Sequence, residues 1–263
     1  MRILFIGDVV GHCGRACVGR LLPGLRARYG IDFTVANGEN AAGGLGATPD
    51  VLAELLGFGV DAITLGNHTW RKKELAPALD RLDRVVRPAN YPAGVPGQGS
   101  AVFDTANGHK VGVMNLIGRV YMDPVDCPFA AAEREVTAMR ERTPVVLVDF
   151  HAEATSEKVA MGWYLDGRCT AVIGTHTHVQ TADERVLPNG SAYITDVGMT
   201  GPLDSVIGIE RQRVLHRFLT GIPTEFRVPN DRPGLCGAVI DADEETGRAR
   251  SIERVQEISP DNG

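Results

Sequence analysis

Short apolar runs alternate with amphipathic stretches along most of the chain. Runs rich in β-branched residues predict strands at 2–6, 32–36, 61–65, 110–116, 144–150, 169–173 and 191–195. The amphipathic stretches predict helices at 13–29, from Thr48 onward, and at 71–82, 128–141 and 156–165. Strands that alternate with helices are typical of an α/β fold, and strands that are apolar on both faces suit a sheet covered on both sides.

The last part of the chain has a different pattern. Residues 215–229 and 237–258 are predicted to form antiparallel strands, with a turn around Glu245–Gly247 in the second stretch. The sequence shows neither an internal repeat nor a linker that would divide it. We therefore expect one domain over residues 1–263.

Composition and charge exclude several classes of partner. The chain has 263 residues and a net charge of −6, so no overall positive field attracts duplex nucleic acid or an anionic membrane. Its apolar runs are too short for a signal peptide or a membrane span. The five cysteines have no paired CxxC spacing, which argues against a disulfide framework and a structural zinc site. We expect a cytoplasmic protein, and the sequence leaves open whether it forms a homo-oligomer.

Polar side chains follow five of the predicted strands. They are Asp8, Glu39, Asn40, Asn67, His68, His151, His176 and His178. Because ligands bind beyond the carboxyl ends of strands in α/β sheets, we expect these side chains to converge. They are too many for one tetrahedral ion, and they suit two metal ions that share a carboxylate. Taken singly, Asp8 could cap a helix and Asn67 could occupy a turn.

Three motifs resemble those of the calcineurin-like metallophosphoesterases in order and spacing. They are GNH at 66–68, the lone His151 and GTHTH at 174–178. The early motifs depart from that family, since Asp8 lacks the histidine of D-x-H and Gly38-Glu39-Asn40 replaces GDxxD. These departures are similar to the bacterial YmdB-like branch, and that resemblance covers essentially the whole chain. It implies a β-sandwich flanked by helices, in four layers (αββα).

The resemblance also implies a role for each polar residue. The implied ligands are Asp8, Asn40 and His178 for one metal ion and Asn67, His151 and His176 for the other, with Glu39 bridging. The branch favours iron or manganese, and these donors are also compatible with zinc. The placement of His68 beside a ligand suits a proton donor to the leaving group, and its alternative role is to orient Asn67.

The implied activity is hydrolysis of cyclic nucleotide phosphodiesters, with 2′,3′-cyclic nucleotides favoured, by a hydroxide that bridges the metal ions. Asn90, Arg119 and Tyr121 are candidates for contact with this small phosphodiester or nucleotide. One alternative is a phosphomonoesterase or protein phosphatase with the same metal pair. Another is a metal- and nucleotide-binding regulatory protein with little turnover, although His68 favours an enzyme because a pure binder needs no proton donor.

Overall fold

The first of two β-sheets contains the N-terminal strand. A computed structural model describes residues 1–259 of the chain. The strands of this sheet are β1 (Arg2–Ile6), β2 (Asp8–Val9), β3 (Phe33–Asn37), β4 (Ala62–Thr64), β5 (Val85–Val86), β12 (Met199–Pro202), β13 (Pro233–Ala242) and β14 (Ala249–Ile258). Their order is β2-β12-β13-β1-β3-β4-β5, and β14 pairs with β13. Strands β1, β3, β4 and β5 are parallel, whereas β13 runs antiparallel to β1.

The second sheet is built from the middle of the chain. Its strands are β6 (Ser100–Asp104), β7 (Lys110–Ile117), β8 (Val146–His151), β9 (Ala171–Thr175), β10 (Arg185–Val186) and β11 (Ala192–Ile194). They lie in the order β10-β11-β9-β8-β7-β6, and the central strands β7, β8, β9 and β11 are parallel. All seven strands predicted before residue 196 are present, with ends shifted by no more than two residues.

The helices lie between successive strands of the chain. They are α1 (Gly11–Tyr29), α2 (Pro49–Gly57), α3 (Pro128–Arg140), α4 (Thr155–Leu165), α5 (Arg211–Thr220) and a short 3-10 helix (Ala76–Arg81). Helix α2 begins as the sequence predicts, because Thr48 Oγ1 accepts a hydrogen bond from the backbone N–H of Val51 and Pro49 is the first helical residue. None of the helices within residues 1–259 is long and apolar enough to cross a membrane.

Alternate residues of the central strands pack on opposite faces. Ile3 and Phe5 of β1 belong to an apolar cluster that also contains Val113 of β7 and Ile173 of β9, so the two sheets share this cluster. Leu4 of β1 instead packs with residues of α1 and α2. The period of two along a strand thus explains why the runs are apolar at every position. On the second sheet, residues of β8 pack with α3 and α4 in a third cluster.

Two predictions in the sequence need correction. Residues 215–229 do not form a strand, because 211–220 form helix α5, which ends at Gly221 with a left-handed φ of 72°. The apolar residues of this stretch resemble a strand pattern, yet Leu and Arg also favour helix and only Val214 of α5 is buried. The predicted helix at 71–82 shortens to Ala76–Arg81. The C-terminal hairpin is confirmed, with β13 and β14 antiparallel.

Candidate metal centre

The polar residues predicted from the sequence lie at strand ends of both sheets. The first sheet contributes Asp8, Glu39, Asn40, Asn67 and His68, and the second contributes His151, His176 and His178. The strands that precede them are parallel within each sheet, so their carboxyl ends face the same edge. Side chains that are up to 170 positions apart in the sequence therefore meet in one cluster.

Glu39 lies near the middle of this cluster. Its Oε1 is 3.1 Å from His151 Nε2, and Asn40 Nδ2 donates a 3.1 Å hydrogen bond to the same oxygen. His151 Nε2 is also 3.0 Å from Asn67 Oδ1 and 3.1 Å from His176 Nδ1. Ligand atoms of Glu39, His151 and His176 all lie within 4.8 Å of one another, a spacing that could hold a metal ion.

A second group of donors surrounds Asp8, which is fully buried. His178 Nε2 is 3.7 Å from Asp8 Oδ1 and 3.4 Å from Asn40 Nδ2. Asp8 Oδ2 accepts a 3.1 Å hydrogen bond from the backbone N–H of His176, but Oδ1 has no hydrogen-bond partner within residues 1–259. A buried carboxylate oxygen without a partner is costly, and a cation would satisfy it. This orphaned oxygen fits a metal site.

The contacts among the donors fall mainly into two groups, which also approach each other, since Asp8 Oδ1 lies 3.9 Å from His151 Nδ1. One group contains Asp8, Asn40 and His178, and the other contains Asn67, His151 and His176. Glu39 contacts Asn40 of the first group and His151 of the second. A carboxylate between two groups of donors is the arrangement that a shared metal ligand requires.

Each of the three imidazoles faces the cluster with one nitrogen and an outside acceptor with the other. The outside partners are Thr175 Oγ1 for His151 at 2.8 Å, Glu153 for His176 at 3.1 Å and the carbonyl oxygen of Ile207 for His178 at 2.9 Å. A histidine that binds a metal donates its other ring N–H in this way, which leaves the inward nitrogen with its lone pair. This is the orientation that metal binding by the three imidazoles would require.

The loop that carries His176 and His178 adopts an unusual backbone. Both residues have positive φ values, 92° and 65°, which non-glycine residues rarely adopt and which cost free energy. The residue between them is Thr177. Its backbone N–H donates a 3.0 Å hydrogen bond to Asp196 Oδ2. Lys158 Nζ donates to the same oxygen at 2.8 Å, and both members of this ion pair are buried. A buried ion pair thus holds the strained loop in place.

Gly66 allows the two sheets to approach at the cluster. A Cβ atom at this position would lie 2.2 Å from Glu39 Oε2 and 2.5 Å from His151 Nε2. Neither atom can retreat, because both side chains are buried. The glycine of the GNH motif is therefore required by the close contact between Glu39 and the second sheet.

The electrostatics of the cluster favour a bound cation. Burial would raise the pKa of Glu39, but His151 and His68 hold it well below its usual value. Burial would likewise lower the pKa of His151, but Glu39 and Asp8 raise it to about 9. Burial and the neighbouring His151 lower the pKa of His176 to about 3. Burial raises the pKa of Asp8, so Glu39 is the carboxylate whose negative charge the neighbouring imidazoles stabilise.

His68 lies at the more accessible side of the cluster, with 21% of its side chain exposed. Its Nδ1 is 2.8 Å from Asn40 Oδ1 and 3.1 Å from Glu39 Oε1, so Nε2 is the nitrogen left for a substrate. Asn40 Oδ1 faces His68, and its Nδ2 faces Glu39 and His178. A half-turn of this amide would present Oδ1 to the metal site instead.

Asn90 has a structural role in the fold. It is buried, and its Nδ2 donates hydrogen bonds to the carbonyl oxygens of Ile117 at 2.8 Å and Asp126 at 3.1 Å. Its Oδ1 accepts a hydrogen bond from the backbone N–H of Ile117. Both amide hydrogens are engaged by the backbone, and a contact between Asn90 and a substrate stays a prediction.

The other two substrate candidates lie on the loop after β7. This loop is next to His151, whose carbonyl oxygen accepts a 3.0 Å hydrogen bond from the backbone N–H of Gly118. The carboxylate of Glu157 accepts hydrogen bonds from the backbone N–H groups of Arg119 and Val120. Tyr121 is 91% exposed with a φ of 61°. Arg119 and Tyr121 therefore remain candidates at the edge of the cluster.

Several residues that support the imidazoles and the loop that carries two of them were not predicted from the sequence. They are Asp149, Glu153, Lys158, Thr175 and Asp196. Asp149 is fully buried, and burial raises its pKa to about 6. A carboxylate inside the apolar run VVLVDF was the available signal, because charged residues are almost never fully buried without partners.

The chain is similar to known proteins over nearly its whole length. The sequence model of a family described as "YmdB-like protein" matches residues 4–255. The chain is 52% identical over 255 residues to the 2′,3′-cyclic-nucleotide 2′-phosphodiesterase of Bacillus subtilis (strain 168), covering 97% of this chain and 96% of that protein. It is 37% identical to a putative phosphatase/phosphodiesterase of Mycoplasma genitalium, covering 99% of this chain and 94% of that protein.

Two crystal structures have the same fold. A hypothetical protein from Thermus thermophilus matches with a TM-score of 0.91 at 45% identity, covering 99% of this chain and 100% of that one. A protein described as a novel phosphatase from Mycoplasma pneumoniae also matches with a TM-score of 0.91, at 36% identity, covering 100% of this chain and 95% of that one. The mixed α/β architecture with two sheets is thus shared with a phosphatase.

Proposed function

Because the chain belongs to the family of YmdB-like proteins, we propose that it is a metal-dependent phosphoric diester hydrolase acting on 2′,3′-cyclic nucleotides. The observation that carries this proposal is the 52% identity over 97% of the chain to a 2′,3′-cyclic-nucleotide 2′-phosphodiesterase. By the same likeness, the bond to the 2′ oxygen is the one that breaks, and the product is a nucleoside 3′-phosphate.

We propose two metal ions in the cluster, iron or manganese in preference to zinc. The donors are carboxylate, amide and imidazole without a thiolate, a set that suits all three metals. Support comes from the unpartnered Oδ1 of Asp8, from the central position of Glu39 and from the fixed orientation of the imidazoles. When bound, such ions neutralise charge on phosphate oxygens and make water acidic enough to ionise near neutral pH.

The protein side chains then have separate tasks. Asp8 and Glu39 contribute negative charge that holds the cations, and the imidazoles complete the two groups of ligands. His68 has its Nδ1 engaged by Asn40 and Glu39, so its Nε2 can donate a proton to the leaving 2′ oxygen. Arg119 and Tyr121, on the loop beside His151, are proposed to contact the phosphate and the base.

We also propose the finer description of the architecture. The cluster shared by the sheets and the two clusters with helices support four layers in the order helices, sheet, sheet, helices. One domain over residues 1–263 and a cytoplasmic location remain predictions from the sequence.

An assay of the purified protein with Mn²⁺ or Fe²⁺ tests the proposed function. We expect hydrolysis of 2′,3′-cyclic AMP to 3′-AMP, identified by chromatography against 2′-AMP, and much slower hydrolysis of 3′,5′-cyclic AMP. Activity should disappear after chelation and return when the metal is added back. Turnover of neither cyclic nucleotide with any of Mn²⁺, Fe²⁺ and Zn²⁺, despite bound metal, would contradict the proposal and favour a regulatory binding protein.

A phosphomonoesterase is the second candidate. It is favoured by the name "putative phosphatase/phosphodiesterase" of the Mycoplasma genitalium relative and by the structural match to a protein described as a phosphatase. The same donors could serve either reaction, because both need charge neutralised on phosphate oxygens. Comparing rates on bis-p-nitrophenyl phosphate and p-nitrophenyl phosphate separates the two candidates, and a diesterase should prefer the first.

A further inference from the structure

A line of buried hydrogen bonds runs from His151 away from the candidate metal centre. His151 Nδ1 is 2.8 Å from Thr175 Oγ1, and Thr175 Oγ1 is 2.7 Å from Asp149 Oδ1. All three side chains are completely buried. Asp149 Oδ2 accepts a 2.9 Å hydrogen bond from Asn37 Nδ2. The line therefore begins at a predicted metal ligand of the second sheet and ends at β3 of the first.

The direction of each hydrogen bond in this line is fixed by chemistry. An ionised carboxylate only accepts, so the single hydroxyl hydrogen of Thr175 goes to Asp149. The oxygen of Thr175 can then only accept from His151, which places the ring hydrogen on Nδ1. In the neutral ring that a metal ion requires, His151 Nε2 then keeps its lone pair and points to Glu39, Asn67 and the other donors.

The same carboxylate reaches Glu39 through the first sheet. Asn37 donates to Asp149 with its Nδ2, and its Oδ1 accepts a 3.1 Å hydrogen bond from the backbone N–H of Glu39. Asp149 thus stands behind the ligand His151 on one side and behind the segment of Glu39 on the other. Glu39 and His151 are therefore both linked by hydrogen bonds to the buried carboxylate of Asp149.

We propose that Thr175 and Asp149 are positioning residues that select the metal-binding tautomer of His151. Neither is among the predicted metal ligands, and both act through the imidazole of His151. The proposal rests on the metal dependence of the proposed function, but it concerns metal affinity and not turnover. The proposal explains why the carboxylate of Asp149 lies inside the apolar run of β8.

Thr175→Val removes the hydroxyl group while keeping the shape of the side chain. We expect Mn²⁺ to bind about 10–100-fold more weakly, the usual effect of removing a group behind a ligand. Thr175→Ser restores the hydroxyl and should restore affinity. Titration calorimetry of the metal-free full-length protein with Mn²⁺ measures both.

Asp149→Asn should have a larger effect than Thr175→Val. Asn37 Nδ2 would draw the new amide oxygen toward itself, so the new NH₂ group would face Thr175. Thr175 would then accept from the amide and donate to His151 Nδ1, which places the ring hydrogen on Nε2, toward the metal site. We expect Mn²⁺ affinity to fall by about 100-fold or more, at or beyond the upper end of the usual range.

Thr170→Val is the matched control. Thr170 is equally buried and directly precedes β9, at the end of that strand opposite Thr175, and its hydroxyl donates to the carbonyl oxygen of Gly247 and accepts from the backbone N–H of Val146. It should lose stability as Thr175→Val does, yet bind Mn²⁺ as the wild type does. A merely structural role for Thr175 would make the two variants alike in Mn²⁺ affinity.

The unaltered protein offers a test that does not depend on whether variants fold. In long-range ¹⁵N–¹H spectra of the Zn²⁺-loaded protein, His151 should carry its hydrogen on Nδ1. A hydrogen on Nε2, unchanged Mn²⁺ affinity in Thr175→Val and Asp149→Asn, or a wild type that binds no Mn²⁺ would each overturn the proposal. If the predicted order of affinities holds but no phosphodiester is cleaved, the proposed function fails while the positioning role stands.

Discussion

The two sheets contribute different chemistry to the candidate metal centre. The first sheet supplies carboxylate and amide donors from β2 and from the turns that follow β3 and β4, together with His68. The second sheet supplies the three imidazoles predicted as ligands, and each of these is tied by its other nitrogen to an acceptor behind it. The carboxylates predicted as ligands thus come from one sheet and the imidazoles predicted as ligands from the other.

The comparison shows two ways of placing a ligand. Glu39 is placed mainly by its backbone and by Gly66, which permits close approach to His151. His176 and His178 lie instead on a strained loop that needs the buried ion pair of Lys158 and Asp196. The segment of Glu39 therefore depends on its own turn and on the space left by Gly66, whereas the loop of His176 and His178 depends on a buried ion pair.

The largest effect is expected at Glu39, which contacts donors from both sheets. Glu39→Gln replaces the central carboxylate with a neutral amide that cannot attract two cations. We expect metal content to fall to one ion or fewer and activity to drop by more than the ~10–100-fold seen for groups behind ligands. Elemental analysis and an assay on 2′,3′-cyclic AMP measure both. Glu54→Gln, which alters a carboxylate paired with Arg15, is the control; retention of two ions by Glu39→Gln would contradict the bridging role.

A substitution at His68 tests proton donation separately from metal binding among the residues of the first sheet. His68→Ala should retain its metal but lose about 10²–10⁴-fold in kcat on 2′,3′-cyclic AMP, because the leaving alkoxide needs a proton. Bis-p-nitrophenyl phosphate should be affected far less, since p-nitrophenolate leaves without protonation. Equal losses on the two substrates, or loss of metal, would mean that His68 is a ligand or a structural residue.

A substitution at Lys158 removes the buried ion pair that supports the loop of His176 and His178. Lys158→Met leaves Asp196 buried without its cation, and we expect unfolding to become easier by about 3–5 kcal/mol. Urea denaturation measures this change in the free energy of unfolding. The exposed pair of Lys110 and Asp104 gives the control, because Lys110→Met should hardly alter stability. Adding Asp196→Asn to Lys158→Met should recover part of the loss; an undiminished loss would argue against an uncompensated charge.

The smallest effect is expected at the rim. Tyr121→Ala should raise KM for 2′,3′-cyclic AMP about fivefold with kcat unchanged, if the exposed ring stacks on the base with ~1 kcal/mol. Trp163→Ala removes another exposed aromatic ring, one that stacks against Arg185, and should leave KM unchanged. Steady-state kinetics on the two variants decide whether this loop contacts the nucleotide.

The sequence predicts the donors much better than it predicts their supports. Asp8, Glu39 and His151 follow recognisable apolar runs, so strand periodicity and the rule for carboxyl ends are enough to find them. Neither rule reveals that the donors come from two separate sheets. Asp149 and Lys158 lie within a strand and a helix, and their partners become neighbours only through tertiary packing.

Helix α5 is a case in which the sequence pattern predicted the wrong secondary structure. Its apolar residues predicted a strand, but Phe218 is 80% exposed and Val214 is the one residue of α5 that is buried. Periodicity is informative only when one face of an element is buried, because burial is what selects the pattern. Where the apolar residues remain exposed, helix propensity and the glycine at the C-terminal end decide the local structure instead.

The central claim is that donors from both sheets hold two neighbouring cations around Glu39. A crystal grown with Mn²⁺ and measured near the manganese absorption edge tests it directly through the anomalous difference map. We predict two peaks about 3.5–4 Å apart, one beside Asp8 and His178, the other beside His151 and His176, with the Glu39 carboxylate reaching both. A single peak, or peaks that only one sheet surrounds, would contradict the account.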